Sequence, residues 1–150
     1  MATWQFVVSL IPSRWCGIAG NGTAQLVDRD GYGDLSSAWQ QYQPDAMIVS
    51  LISKILPPSA SWHEDLKIWG DETGSDIHVS YAGTQVESVI ARIDTRTDTA
   101  RMCASVVELA RTLDCCLYLG AARLIIPSDV TELGKAIATS TAAQFSAARR

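Results

Sequence analysis

A chain of 150 residues and 16.2 kDa has room for one hydrophobic core, so residues 1–150 are expected to form a single domain. An apolar share of 47% beside 19% charged residues excludes a disordered chain, and 12 basic against 16 acidic side chains, a net charge of -4, excludes a nucleic-acid binder built on phosphate neutralisation. The longest apolar runs, Phe6 to Ile11 and Met47 to Leu56, fall short of the ~20 residues that span a bilayer, and the first residues lack the basic region of a secretory signal; a cytoplasmic protein with no membrane partner is expected.

Trp4, Phe6, Val8 and Leu10 alternate with Gln5, Val7 and Ser9, the period of two that predicts a strand ending near Pro12. Residues 13–33 hold Gly17, Gly20, Gly22, Gly31 and Gly33, which predicts an irregular segment with a short strand over Ala24 to Val27. Asp34 is placed to cap a helix that turns Leu35, Ala38, Trp39 and Tyr42 to one side. Pro44-Asp45 starts a second, with Ile48, Leu51, Ile52 and Ile55 inward, which Pro57-Pro58 stops. Leu66 to Asp71, Asp76 to Tyr81 and Val86 to Thr95, joined by Glu72-Thr73-Gly74-Ser75 and Ala82-Gly83-Thr84, predict a three-stranded meander. Along its last strand Val89, Ala91 and Ile93 face one way, and Ile90, Arg92, Asp94 and Arg96 the other.

A helix opening at Thr97 or Asp98 gathers Met102, Val106, Ala110 and Leu113, with Cys103 and Val107 beside them, into one apolar stripe. Cys115 to Leu119 and Arg123 to Ile126 flank Gly120-Ala121-Ala122 as a hairpin. Pro127-Ser128-Asp129 then begins a final helix, with Glu132 at the capping-box position and Val130, Leu133, Ile137, Thr141 and Phe145 along it. This order of elements does not alternate as a doubly wound parallel sheet requires, and its short turns favour antiparallel pairing. The expected fold is therefore α+β, a mostly antiparallel sheet with helices packed on one face as a two-layer sandwich.

Motifs that carry chemistry are scarce. Gly17-Ile18-Ala19-Gly20-Asn21-Gly22 lacks the Gly-Lys-Ser or Gly-Lys-Thr of a phosphate loop. Asp28, Asp30 and Gly33 match positions one, three and six of a calcium loop, but Tyr32 and Trp39 stand where positions five and twelve need oxygen ligands, so a turn and helix cap are expected. Cys16, Cys103, Cys115 and Cys116 show no C-x-x-C spacing; reduced thiols, no metal and no cofactor are expected. A Cys16 dyad with His63 or His78 requires the fold to bring them together. Arg92, Asp94 and Arg96 share a strand face, which predicts an ion network with the carboxylate between two guanidinium groups, the alternative being an arginine presented to an acidic ligand.

His63, Glu64, Asp65, Asp71, Glu72, Asp76 and His78 crowd around the first hairpin of the meander, and Trp62 and Trp69 bracket the approach to it. Trp69 is expected on the more polar side of its strand, with Lys67 and Asp71. An exposed tryptophan ringed by carboxylates has the composition of a docking patch for a basic protein, the ring supplying desolvation energy and the acids specificity. Burial of the rings under the irregular segment is the alternative. The candidate partner-binding residues are Trp62, Trp69, Asp71, Glu72, Asp76 and His78, with no catalytic residue assigned. Against this stands a small enzyme or ligand-binding domain that uses the His78 and Asp76 group in a pocket.

Trp69-Gly70-Asp71, then Asp76-Ile77-His78-Val79, Arg92-Ile93-Asp94-Thr95-Arg96 and Leu113-Asp114-Cys115-Cys116-Leu117, resemble small bacterial proteins over roughly residues 66 to 145, some of them similar to immunity proteins of polymorphic toxin systems. The resemblance implies a non-enzymatic inhibitor that folds alone and occludes a cognate toxin domain, and it carries over no catalytic residue.

Overall fold

The computed structural model describes residues 2–17, 26 and 33–148. Among them one antiparallel sheet contains β1 Gln5–Pro12, β2 Pro58–Ser59, β3 Leu66–Gly70, β4 Asp76–Ala82, β5 Gln85–Asp94, β6 Cys115–Leu119 and β7 Leu124–Ile126, in the spatial order β2-β3-β4-β5-β1-β6-β7. The helices are α1 Ser13–Gly17, α2 Ser36–Gln40, α3 Ile48–Ser53, α4 Thr99–Thr112, α5 Val130–Ala138 and α6 Thr141–Ala148. The fold is α+β, with helices packed against the sheet, and no described helix is long and apolar enough to cross a membrane.

Alternation assigns the two sheet faces. Leu10 pairs with Val89 on one side and Leu117 on the other, Val8 pairs with Ala91, and Ile77 with Ala91 and Trp69, so these residues line one face, and all are buried. Into this core α4 turns Met102, Cys103, Val106, Val107 and Ala110 of the predicted stripe, together with Leu109, while Leu113 is half-buried at the helix end. The opposite face carries Val7, Ser9, Ile90, Arg92, Asp76 and His78. It is this second face that holds the candidate site.

The segment after β1 supports the centre of the sheet. Asp34 Oδ1 accepts from the Ser36 N–H at 3.0 Å and so holds the turn into α2, which buries Leu35, Ala38 and Trp39. The Trp39 indole donates to the Leu10 carbonyl at 3.1 Å, and the Gln43 amide bonds both the N–H and the carbonyl of Val86, extending the ladder with a side chain. Pro57 and Pro58 end the α3 segment, and Pro58–Ser59 then pairs with β3, a strand of two residues too short for periodicity to show.

Two expectations change, and a third lies largely outside the described residues. The chain after Pro12 is helical rather than irregular, because the Ser13 N–H bonds the Asp114 carbonyl and turns it back at once. The strand over Ala24 to Val27, the glycine-rich run and the calcium-like loop lie outside the described residues, except for Gly17 at the end of α1, buried Leu26 and the residues from Gly33 onward. The final helix is two: the Ser140 hydroxyl donates to the Ile137 carbonyl and accepts from the Ala143 N–H, closing α5 and opening α6.

Asp129 caps α5 by accepting from the Thr131 N–H, while Glu132 lies 3.8 Å from Lys135 Nζ; the Asp129 N–H bonds the Pro127 carbonyl, so the reciprocal arm of a capping box is not made. Asp129→Ala should cost about 1 kcal/mol. Urea unfolding checks this as a lower midpoint at unchanged slope.

Candidate functional site

The β4–β5 pairing places Asp76 directly opposite Arg92, and His78 two residues along on the same face. Arg92 Nε donates to Asp76 Oδ1 at 2.7 Å, and Nη2 donates to Oδ2, a forked contact between two fixed planes. His78 Nε2 lies 3.0 Å from Asp76 Oδ2 and 3.3 Å from Arg92 Nη2. An ionised carboxylate only accepts, so the shorter contact places a proton on Nε2, with Nδ1 on the far side of the ring.

Asp76 is 0% exposed, and the side chains of Arg92 and His78 only 15% and 18%. Burial pushes the Asp76 carboxyl up, but the hydrogen bonds from Arg92 and His78, with their charges, outweigh it and hold the group below its ordinary value. The bond to Asp76 pushes Arg92 up in turn, and the charge of Glu72 adds a smaller attraction. Asp76 cannot touch a partner; it fixes the two side chains that lie above it.

Trp62 lies over this group. Its ring meets His78 edge-on, with centroids 5.8 Å apart and planes at 68°, while the residue is 71% exposed. The loop that carries it is tied down. The Ser61 hydroxyl donates to the His63 carbonyl, His63 Nδ1 accepts from the Asp65 N–H at 3.0 Å, and the Asp65 carbonyl accepts from the Tyr81 N–H of β4. Glu64 and Asp65, on the same loop, are exposed.

At the other end of the strands, Asp71 and Glu72 are exposed on a turn. The Thr73 N–H and hydroxyl both donate to Asp71 Oδ1, which holds that carboxyl below its usual range. Gln5 Nε2 donates to the Glu72 and Gly74 carbonyls, and Trp4 Nε1 to that of Thr73, so the turn is docked on the start of β1. The acids are therefore presented from fixed backbone at both ends of the β3–β4 hairpin.

Of the six predicted residues, Trp62, His78 and Asp76 meet, with Glu72 near enough to act on Arg92 and Asp71 beside it on the turn. Trp69 does not join them. It is 2% exposed, pairs with Ile77 on the core face, and donates from Nε1 to Ser53 Oγ of α3 at 3.0 Å. Lys67 shares that face but lies where its ammonium reaches over the Tyr81 ring, so its polarity marks the end of the covered area rather than the side on which Trp69 sits.

The predicted ion network is also split. Arg92 turns across the sheet to Asp76, its direct partner, and Asp94 instead binds Arg96 through both carboxylate oxygens at 3.0 Å. Arg96 then lies over the Trp4 ring, 4.0 Å from its centroid. Arg92 is thus a member of the site that strand alternation put on the right face but joined to the wrong carboxylate.

Cys16 lies beside Cys116 rather than a histidine. Among the described residues no group of three or more His, Cys, Asp or Glu side chains is arranged to hold a metal ion. A cavity of about 550 Å³ lies between the end of α3, the β3–β4 turn and the start of α4, lined in part by Leu56, Gly70, Asp94, Arg96 and Met102; it includes neither His78 nor Asp76. What the Trp62 site offers is a supported patch whose exposed chemistry is one indole, one imidazole edge and several carboxylates. Compared with protein-family models, with curated proteins and with solved structures, the chain matches none of them.

Proposed function

We propose that the chain is a protein-binding inhibitor of the immunity type, which neutralises a cognate basic bacterial toxin domain by covering it. The observation that carries this reading is Trp62: a ring 71% exposed yet seated on His78, which the buried Asp76–Arg92 pair holds in turn. A large aromatic that is ordered before binding loses little conformational entropy when a partner covers it, and that is how central interface residues gain their weight. Exposed Glu64, Asp65, Asp71 and Glu72 supply the negative field that attracts a basic surface and fixes its orientation. The alternative, a small ligand-binding domain or enzyme, draws on the 3.0 Å His78–Asp76 contact. There the buried carboxylate would orient the imidazole, and His78 alone would reach a substrate.

The test is to look for a toxic domain encoded beside this chain, co-express the two, and follow with calorimetric titration of the purified pair. A rescued host and a one-to-one complex that weakens as salt rises are expected. Trp62→Ala should weaken that complex about 100-fold, the loss of a central aromatic contact. Its unfolding free energy should stay within about 0.5 kcal/mol of the parent, because the ring is mostly in water already. Failure to rescue, or equal binding by the alanine variant, would count against the proposal; turnover of a small molecule that is lost in His78→Gln would favour the alternative.

A further inference from the structure

Two thiols that the proposed function does not use stand in contact. The Cys16 and Cys116 sulfurs are 3.1 Å apart, with Cys16 in the single turn of α1 and Cys116 opposite Ile11 on β6. The geometry follows from the chain path: β1 ends at Pro12, the Ser13 N–H bonds the Asp114 carbonyl at 2.9 Å, and the helical turn brings residue 16 back over the strand pair it has just left. Neither thiol is locked into another role. Cys16 Sγ has the Pro12 and Ser13 carbonyls at 3.6 Å, and Cys116 Sγ that of Ile11 at 3.7 Å, the long, weak contacts of sulfur.

We infer that Cys16 and Cys116 are a redox-active pair, which closes to an intramolecular disulfide by exchange with a small-molecule disulfide of the glutathione type. A disulfide places its sulfurs about 2.05 Å apart, so closure needs a movement of about 1 Å, within reach of side-chain rotation in a one-turn helix. The other cysteines are excluded by position. Cys115 is adjacent to Cys116 on a strand and therefore points to the opposite face, where it is buried with its sulfur toward the Leu113 carbonyl. Cys103 is buried in the apolar stripe of α4.

The exchange balances in two steps. The Cys16 thiolate attacks one sulfur of the small disulfide and releases the first small thiolate; Cys116 then gives up its proton and attacks the Cys16 sulfur of the mixed disulfide, releasing the second. Two protein thiols are oxidised to one disulfide, one small disulfide is reduced to two thiols, and the protons leave on those thiols. Burial, with the Cys16 sulfur beside it, pushes the Cys116 thiol up. The closed bond would span a sequence separation of 100 residues and tie α1 to β6.

The intact chain equilibrated with glutathione disulfide should lose two hydrogen masses and two of its four titratable thiols, and a digest should yield the Cys16–Cys116 peptide. Cross-linking across so long a loop restricts the unfolded chain, and the thermal midpoint should rise by about 10 °C over the reduced form. Cys103→Ser should keep both changes, while Cys16→Ser and Cys116→Ser should each abolish them. Four surviving thiols, glutathione retained on Cys16 without ring closure, or a cross-link through Cys115 would each overturn the inference, and mapping on the parent chain decides it even where a serine variant folds poorly.

Discussion

Asp76→Ala should destabilise the protein by about 3–5 kcal/mol, the cost of leaving a mostly buried guanidinium without its counter-charge. Asp76 receives both donors of the Arg92 fork and the His78 N–H, so its removal strands two groups at once. Asp76→Asn keeps the shape but not the charge and should lie between the parent and the alanine variant. Replacing both partners, Asp76→Leu with Arg92→Met, should recover much of the loss, because an apolar pair of similar volume needs no compensation. If the double replacement were as unstable as Asp76→Ala alone, the burial of an unpaired charge would not be the cause.

The same pair sets an acid response. A carboxyl held below its unfolded value contributes stability that is complete above about pH 4 and is lost as pH falls through the folded value. Asp76→Asn should therefore flatten the acid limb of the stability profile below about pH 4 and leave the shape above it unchanged. Denaturant midpoints taken across that range in parent and variant give the comparison directly, and parallel acid limbs would exclude this linkage.

Much of this arrangement is legible in the residues, and the places where it is not have physical reasons. Alternation from Val89 to Arg96 separates core from outer face, and the helical stripe of Met102, Val106 and Ala110 is readable because each burial repeats at one period. Which carboxylate meets Arg92 is different. The turn pairs Ala82 with Gln85 and Tyr81 with Val86, and an unbroken ladder from there would set Asp76 against Ala91. A bulge between Ser80 and Tyr81 moves the register by one, and Asp76 meets Arg92 instead. No local residue pattern announces that bulge, since it is stabilised by the whole hairpin fitting its inward residues to the core.

Trp69 departs from its expected face for a related reason: polar neighbours along one strand suggest an outer face, but α3 covers Trp69 and leaves Lys67 uncovered. Exposure and burial of Trp62 are both open from sequence, and its seat on His78 depends on a loop that crosses from β2 to β3 without periodicity. Sequence reading therefore finds the chemistry of the patch more readily than the contacts that hold it rigid.

Those contacts make Gly70→Ala the second large effect. Gly70 ends β3 with φ +95, a conformation that L side chains rarely adopt, and it pairs with Asp76. A Cβ placed there would overlap the Ser75 carbonyl oxygen and stand 2.9 Å from Leu56 Cδ1 and 3.0 Å from Asp76 Cα. Only the leucine can yield easily; the other two are backbone on which the Arg92 contact depends. Backbone strain and overpacking together should cost about 3–5 kcal/mol. Gly74→Ala, whose Cβ would meet Asp71 atoms at an ordinary 3.5 Å, should stay within about 1 kcal/mol of the parent. Because the clash acts on Asp76 Cα, hydrogen exchange in Gly70→Ala should rise across β3 and β4 more than across the β1–β6 pairing. A uniform rise would mean that the strain is spread through the whole domain instead of concentrated beneath the Trp62 patch.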